Sequence, residues 1–149
     1  MAQPGKAFYT GLFRHTLDDK GRLTIPSAWR YVHEESDMFL ALPVGGYIAV
    51  LPPAEVEKVY AQIAAMKLKD AATQASAAKF FSETQSFSFD KSGRVILDAG
   101  LLALTGIKRD AVLVGSLTKF NIYSPARWEQ EHKLAATQDA GGLLHRLDI

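Results

Sequence analysis

The chain has no cysteine among its 149 residues, which excludes disulfide bonds, thiol catalysis and thiolate metal sites. It has no apolar run approaching the roughly 20 residues that a membrane-spanning helix needs. The segment Met1–Lys6 also lacks the apolar stretch of a secretory signal. These absences predict a cytoplasmic protein that does not associate with a membrane.

The chain also has little net charge. Seventeen Lys and Arg residues oppose sixteen Asp and Glu residues, for a net charge of +1. This balance is not that of a strongly basic nucleic-acid-binding domain, so any such binding must come from local clusters or from several assembled copies. One cluster lies near the start of the chain, where four basic residues outnumber two acidic ones: Arg14, Lys20, Arg22 and Arg30 against Asp18 and Asp19.

Signals of catalysis are missing as well. The sequence contains no nucleophile-elbow or phosphate-loop pattern, and its four histidines are scattered at positions 15, 33, 132 and 145. The weakest of three functional hypotheses is a small enzyme built around His33, Glu34 and Glu35, whose adjacent side chains would point apart in an extended segment. We therefore expect a protein that is not an enzyme and that has no cofactor or metal ion.

What the sequence does contain is an internal repeat. Leu17–Ile25 returns 72 residues later as Phe89–Leu97, in the shared pattern apolar-Asp-x-x-Gly-Arg-apolar-x-apolar. Two further pairs of segments follow in the same order, 37–42 with 110–115 and 47–52 with 120–125. Two colinear matches after the motif indicate a duplicated unit of about 70 residues.

Each unit has the pattern of paired strands followed by a helix. Asp-x-x-Gly is typical of a turn, and the alternating apolar residues around it predict a strand on either side. A second hairpin is predicted around Gly45-Gly46, with a counterpart at 112–123. Short helical turns are expected at 27–33 and 99–104, and longer helices after Pro52-Pro53, over 70–81 and after Ser124-Pro125. The predicted organisation is a first repeat at 9–66, a helical linker at 67–84, a second repeat at 85–136 and a mobile tail at 137–149.

The two turns carry the strongest functional signal. Each places an arginine just after the glycine and an aspartate four residues earlier, Asp18 with Arg22 and Asp90 with Arg94. We expect each carboxylate to hold its guanidinium in a bidentate pair, so that the remaining donors face phosphate oxygens or the O6/N7 edge of guanine in a major groove. The alternative is a stable turn with a surface ion pair. Two copies that both keep the Asp and the Arg favour a function.

The same residues carry a family resemblance. The chain resembles the MraZ family of bacterial transcriptional regulators from about Tyr9-x-Gly11 through Trp128. The resemblance rests on 17–26 followed by Trp29-Arg30, on the second turn at 90–95, and on 112–115 and 119–123.

The resemblance implies an α+β fold of two tandem AbrB-like swapped-hairpin units with short helices, duplicated about a pseudo-two-fold axis. It further implies a ring homo-oligomer associated with the nucleoid, which represses the division and cell-wall gene cluster by binding short, G-containing direct repeats of double-stranded DNA. Arg22 and Arg94 would contact the DNA and Asp18 and Asp90 would hold them. On physical grounds alone, Lys20 and Lys91 are expected phosphate contacts. An antitoxin-like or scaffolding module that grips another protein is the second hypothesis.

The second unit departs from the first in two ways. Asp98 stands where the first unit has Pro26, and Leu102 stands where it has Arg30. The second turn is therefore expected to be the less basic of the two.

Overall fold

The computed structural model describes residues 7–66, 70–136 and 140–149. The chain forms eight strands: β1 (Leu12–Thr16), β2 (Arg22–Thr24), β3 (Phe39–Val44), β4 (Tyr47–Leu51), β5 (Gln85–Phe87), β6 (Arg94–Ile96), β7 (Asp110–Gly115) and β8 (Phe120–Tyr123). It also forms the helices α1 (Pro53–Ala65), α2 (Ala71–Ser82), α3 (Ala99–Thr105), α4 (Pro125–Ala136) and α5 (Ala140–Arg146), with a 3-10 turn at Ser27–Trp29. The fold is α+β, as the sequence predicts.

The two halves are joined by exchanged strands. A six-stranded sheet has the order β1-β7-β8-β4-β3-β5, and β2 pairs with β6 in a separate two-stranded ribbon, all antiparallel. The strands on either side of each Asp-x-x-Gly turn therefore pair with the opposite half instead of with each other. This exchange is the swapped-hairpin arrangement.

The pairing pattern is symmetric. β1 lies on β7 as β5 lies on β3, and the β3–β4 hairpin corresponds to the β7–β8 hairpin. The remaining pairs, β4–β8 and β2–β6, each join equivalent strands of the two halves. The predicted duplication is thus visible as a pseudo-two-fold arrangement of strands.

The core contains the aromatic residues that the two halves bring together. Trp29 is 1% exposed and packs edge-on to Phe13 and Tyr9 and against Phe120, with the Trp29 and Phe120 ring centroids 4.8 Å apart. Its indole N–H donates to the carbonyl of Thr10 at 3.0 Å. Trp29 is therefore a core residue, because a buried indole with a satisfied N–H contributes both area and a hydrogen bond.

Helices α1 to α4 begin at or within one residue of the predicted positions, whereas the helical turn predicted at 27–33 covers only Ser27–Trp29. α4 has Ser124 as its N-cap, with the Ser124 hydroxyl accepting from the Arg127 N–H at 3.1 Å. α3 ends at Gly106, whose φ of 66° lies in the left-handed region. Part of the range predicted as a mobile tail is helical, since α5 covers Ala140–Arg146. None of the helices in the described part of the chain is long and apolar enough to cross a bilayer.

Helices α1 and α2 bury no residue within the protomer. Between them and the sheet lies a groove of about 270 Å³ that we call the α1 groove. Its lining is apolar and consists of Leu40, Val56, Val59, Tyr60, Ile63 and Phe81. The apolar side chains of α1 thus face a groove that is open to solvent, with Tyr60 72% exposed.

Candidate nucleic-acid interface

The first turn is organised by one carboxylate. One oxygen of Asp18, Oδ1, accepts hydrogen bonds from the backbone N–H groups of Lys20 and Arg22, both at 2.9 Å. The other oxygen, Oδ2, accepts from Nε of Arg22 at 2.6 Å. The backbone closes the turn through Gly21 N–H to the Asp18 carbonyl at 2.9 Å. Gly21 has a φ of 75°, which explains why glycine stands at this position.

The second turn has the same geometry. Oδ1 of Asp90 accepts from the N–H groups of Ser92 at 2.8 Å and Arg94 at 2.9 Å, and Oδ2 accepts from Nε of Arg94 at 2.9 Å. Gly93 has a φ of 74°. Both predicted Asp–Arg pairs therefore form, although not in the bidentate form expected from the sequence.

The difference arises because the turn backbone uses one oxygen of each carboxylate. In each turn Oδ1 accepts from two backbone N–H groups, so only Oδ2 is left for the arginine, which donates to it through Nε. Within the described residues, the Nη atoms of Arg22 and Arg94 donate no hydrogen bond. The side chains of Arg22 and Arg94 are 28% and 33% exposed. Each arginine is thus fixed at Nε and presents its outer donors to solvent.

Hydrogen bonding also sets the charge state of the two carboxylates. The N–H of Arg22 is the main cause that lowers the pKa of Asp18, and the N–H of Arg94 does the same for Asp90. Hydrogen bonds to a carboxylate favour its ionised form. Both aspartates are therefore anionic at neutral pH.

The β2–β6 ribbon places both arginines on one face. Arg22 pairs with Ile96, Leu23 with Val95, and Thr24 with Arg94. Directly paired residues of an antiparallel ladder share a face, and so do residues two apart. Leu23 and Val95 occupy the inner face and are buried. Arg22 and Arg94 therefore project from the outer face as diagonal neighbours, about 7–8 Å apart.

The lysines of the two turns are exposed. Lys20 and Lys91 follow the turn aspartates and make no ion pair within the described residues. The structure thus presents two arginines and two lysines at the ribbon and its ends.

An arginine of the first half also reaches the second turn. Arg30 donates through Nε to the carbonyl of Ile25 at 2.9 Å, and its guanidinium lies against Gly93. A Cβ placed on Gly93 would be 2.0 Å from Nη1 of Arg30, whereas one on Gly21 would meet nothing within 4 Å. The strand exchange thus brings Arg30 to the second turn, which the comparison of the two units does not predict, and it brings Glu34 and Glu35 to the same place.

In the sequence, Arg30 belongs to the basic cluster at 13–30, and it is not among the predicted site residues. Its signal was present in the alignment of the two units, where Arg30 corresponds to Leu102. Only the swapped topology shows which turn Arg30 faces.

His33, the centre of the enzyme hypothesis with Glu34 and Glu35, has a structural role. Nε2 of His33 is hydrogen bonded to the Tyr9 hydroxyl, and its Nδ1 lies 3.3 Å from Oδ2 of Asp37. The pKa of Tyr9 is raised, mainly by burial. His33 is thus a core histidine with both nitrogens partnered, and among the described residues no group of acidic, histidine and cysteine side chains could hold a metal ion.

Comparison with known proteins shows the family of the chain. A family described as "MraZ protein, putative antitoxin-like" matches residues 8–78 and 80–140. The chain belongs to the MraZ family. A protein named Transcriptional regulator MraZ from Thermomicrobium roseum is 28% identical over 130 residues, covering 87% of this chain and 91% of the relative.

Two further relatives carry the same name. The one from Spiroplasma kunkelii is 32% identical over 119 residues, covering 80% of this chain and 83% of its own. The one from Syntrophobacter fumaroxidans is 30% identical over 132 residues, covering 87% and 88%. All three relatives are thus named as transcriptional regulators, a role that is not enzymatic.

Proposed function

We propose that this protein is a sequence-specific DNA-binding transcriptional regulator whose reading surface is the outer face of the β2–β6 ribbon. The observation that carries the proposal is the presentation of Arg22 and Arg94. Each is anchored at Nε by a turn aspartate, and each leaves its Nη donors unpaired within the described residues. Both stand on the same face.

A ribbon of this kind suits a major groove. The groove of B-DNA admits a two-stranded β-ribbon, and arginine is the side chain that most often reads guanine, through two hydrogen bonds to O6 and N7. The Nη atoms supply the two donors that such a contact requires. Because Nε is already held, less conformational entropy is lost when the arginine binds. Guanine is therefore the base that we expect at each contact.

The lysines supply contacts of a different kind. Lys20 and Lys91 are exposed at opposite ends of the ribbon, since β2 and β6 run antiparallel and each begins just after its own turn. A lysine ammonium binds phosphate as a point charge and carries no sequence information. We assign Lys20 and Lys91 to the DNA backbone on either side of the arginines.

The small net charge of the protomer argues for assembly. With a net charge of +1, one copy has few cations with which to neutralise phosphates. Linking several copies raises affinity through effective concentration without any new contact. A ring homo-oligomer that displays the ribbon at regular intervals would bind short, G-containing direct repeats. Helices α1 and α2, which bury no residue in the protomer, supply apolar surface for such contacts.

The proposed target and sign of regulation follow the family resemblance. The protein would act in the cytoplasm on the nucleoid, as a repressor of the division and cell-wall gene cluster that binds double-stranded DNA repeats at the promoter. The first test is a titration against DNA from upstream of its own gene, with the repeats intact or scrambled, at about 50 and 200 mM salt. We expect tighter binding to intact repeats, and an affinity that falls steeply as salt rises.

The α1 groove favours one alternative, a module that grips another protein. Its apolar lining could take the apolar face of a partner helix. The same salt series separates the two functions, since burial of apolar surface responds weakly to ionic strength and phosphate contacts respond strongly. Weak, salt-insensitive association with every DNA tested would contradict the DNA-binding proposal.

A further inference from the structure

Arg30 is presented in the same way as Arg22 and Arg94. All three use Nε for one hydrogen bond to the protein, and their Nη atoms donate none to the described residues. Arg127 is different, because both its Nε and one Nη atom donate to Glu131, at 3.1 and 2.8 Å. A guanidinium held by Nε alone keeps its outer donors in a fixed direction for a ligand.

The position of Arg30 joins it to the second turn. The guanidinium covers Gly93, which is buried, whereas Gly21 at the same place in the first turn is half-buried. The Gly93 carbonyl also accepts from the N–H of Ile25 at 2.9 Å. Ile25, whose own carbonyl accepts from Nε of Arg30, is therefore hydrogen bonded to the second turn. Arg30 is thus held in place at two points, Ile25 and Gly93.

A small surface pocket of about 150 Å³ lies beside this contact. Arg30 and Lys91 line it from the two halves, together with Asp90, Glu34 and Glu35. The two glutamates are exposed, and no described residue forms an ion pair with Arg30. The first turn has no equivalent cation, since Leu102 replaces Arg30 in the second unit.

We propose that Arg30 is an additional contact to the DNA phosphate backbone, contributed by the first half of the chain to the second turn. The inference rests on the proposed DNA-binding function and extends it. Arg30 and Lys91 bind the backbone while Arg94 reads the base, so the second turn makes one more phosphate contact than the first.

The test uses Arg30→Gln, which keeps a long polar side chain and removes the charge. Binding of the full-length protein to repeat and scrambled DNA is measured across a salt series. Each phosphate contact contributes about 0.9 to the slope of log affinity against log salt. We expect the slope to fall by about 0.9 for each protomer that touches the DNA. Both DNAs should be bound more weakly by the same factor.

Two results would overturn the inference. An unchanged slope with unchanged affinity means that Arg30 does not touch phosphate. An unchanged slope with lost preference for the repeats means that Arg30 only positions Arg94. The variants Arg22→Ala and Arg94→Ala are measured alongside. If they also bind like the parent, the DNA-binding proposal itself fails, whereas a silent Arg30→Gln beside two defective variants removes only the role of Arg30.

A pair of glycine variants tests the same contact without changing Arg30. Gly93→Ala would place a methyl group 2.0 Å from Nη1 of Arg30 and displace the guanidinium, whereas Gly21→Ala meets nothing. Both positions have nearly the same positive φ, so the backbone strain is matched. We expect the slope of log affinity against log salt to be smaller for Gly93→Ala than for Gly21→Ala. Equal slopes would contradict the proposal even if Arg30→Gln failed to fold.

Discussion

Arg22 and Arg94 are diagonal neighbours on one face of the β2–β6 ribbon, although 72 residues separate them in the chain. Their backbones lie about 7–8 Å apart, roughly the rise of two base-pair steps at 3.4 Å each. Under the proposed function, one ribbon would address two nearby base pairs with equivalent side chains. The pairing of β2 with β6 is what places the two motifs on one face.

The first prediction concerns this pair. Arg22→Ala and Arg94→Ala should each cost about 1–3 kcal/mol of discrimination against DNA in which the contacted guanine is replaced. The affinity for unrelated DNA should change much less, because the lysines remain. Competition titrations with single-base variants of the repeat measure this difference.

Arg146→Ala is the matched control, because it removes the same charge from an exposed position in α5. Gel filtration should show the same assembly for all three variants. Equal loss of affinity on every DNA would mean that the two ribbon arginines contact phosphate only, and the base-reading role would be wrong.

The second prediction concerns the aspartates that hold the arginines. Asp18→Asn keeps the shape of the side chain and removes the charge that binds Nε of Arg22. We expect weaker DNA binding and a lower midpoint of thermal unfolding. Asp19→Asn is the control, since Asp19 is also exposed and makes no hydrogen bond with the described residues. If both substitutions reduced binding equally, the negative charge itself and not the held arginine would be the cause.

The same carboxylates predict a pH dependence with a defined sign. The folded pKa of Asp18 is lowered, chiefly by the Arg22 N–H, so its contribution to stability is complete above the unfolded pKa of about 4. That contribution is lost as the pH falls through the folded pKa. The difference in unfolding midpoint between the parent and Asp18→Asn should stay constant from about pH 5 to 7 and shrink below about pH 4. A difference that grew on acidification would contradict this assignment.

Local structure could be predicted from the sequence because its causes are local. The turn residues, the proline at the start of α1 and α4, and the glycine after α3 each act within a few residues of their own position. The turn prediction was incomplete in one respect. The backbone N–H groups of Lys20 and Arg22 occupy Oδ1 of Asp18, and this excludes a bidentate pair.

The partners of each strand depend on long-range contacts that residue patterns do not contain. The strands around Asp18–Arg22 have the pattern of a hairpin, yet β1 pairs with β7 and β2 with β6. The family resemblance implied the swapped arrangement, whereas the duplication and the residue pattern alone did not. The turn that Arg30 faces could not be predicted for the same reason, because residues close in sequence lie beside different turns after the exchange.

The fourth prediction concerns a close approach between the N-terminal segment and β7. A Cβ on Gly115 would be 2.3 Å from the carbonyl oxygen of Tyr9. That backbone is fixed by the Tyr9–Leu117 bridge, whose two hydrogen bonds are 2.9 and 2.8 Å long. Gly115→Ala should therefore lower the free energy of unfolding by about 1–3 kcal/mol, as overpacking of a rigid site does.

The control is Gly100→Ala, at a helical position in α3 where a Cβ meets nothing within 4 Å. Alanine is a better helix former than glycine, so this variant should gain up to about 1 kcal/mol. Denaturant unfolding of both variants measures the two changes. Equal stability of Gly115→Ala and the parent would mean that the Tyr9 segment moves freely away from β7.

The last prediction concerns the α1 groove and the assembly. Val59 lines the groove, whereas Gln62 on the same helix is exposed and does not line it. Val59→Glu and Gln62→Glu each add one negative charge to α1, but only the first places that charge on apolar surface.

A carboxylate cannot be buried in the α1 groove without a partner, so contact of the Val59→Glu groove with a second copy would be strongly disfavoured. If the groove is covered by a second copy, sedimentation velocity should show smaller species for Val59→Glu and an unchanged assembly for Gln62→Glu. DNA affinity should fall together with the size of the assembly, because the linked sites are lost. A folded Val59→Glu protein of parental size would mean that copies associate through another surface.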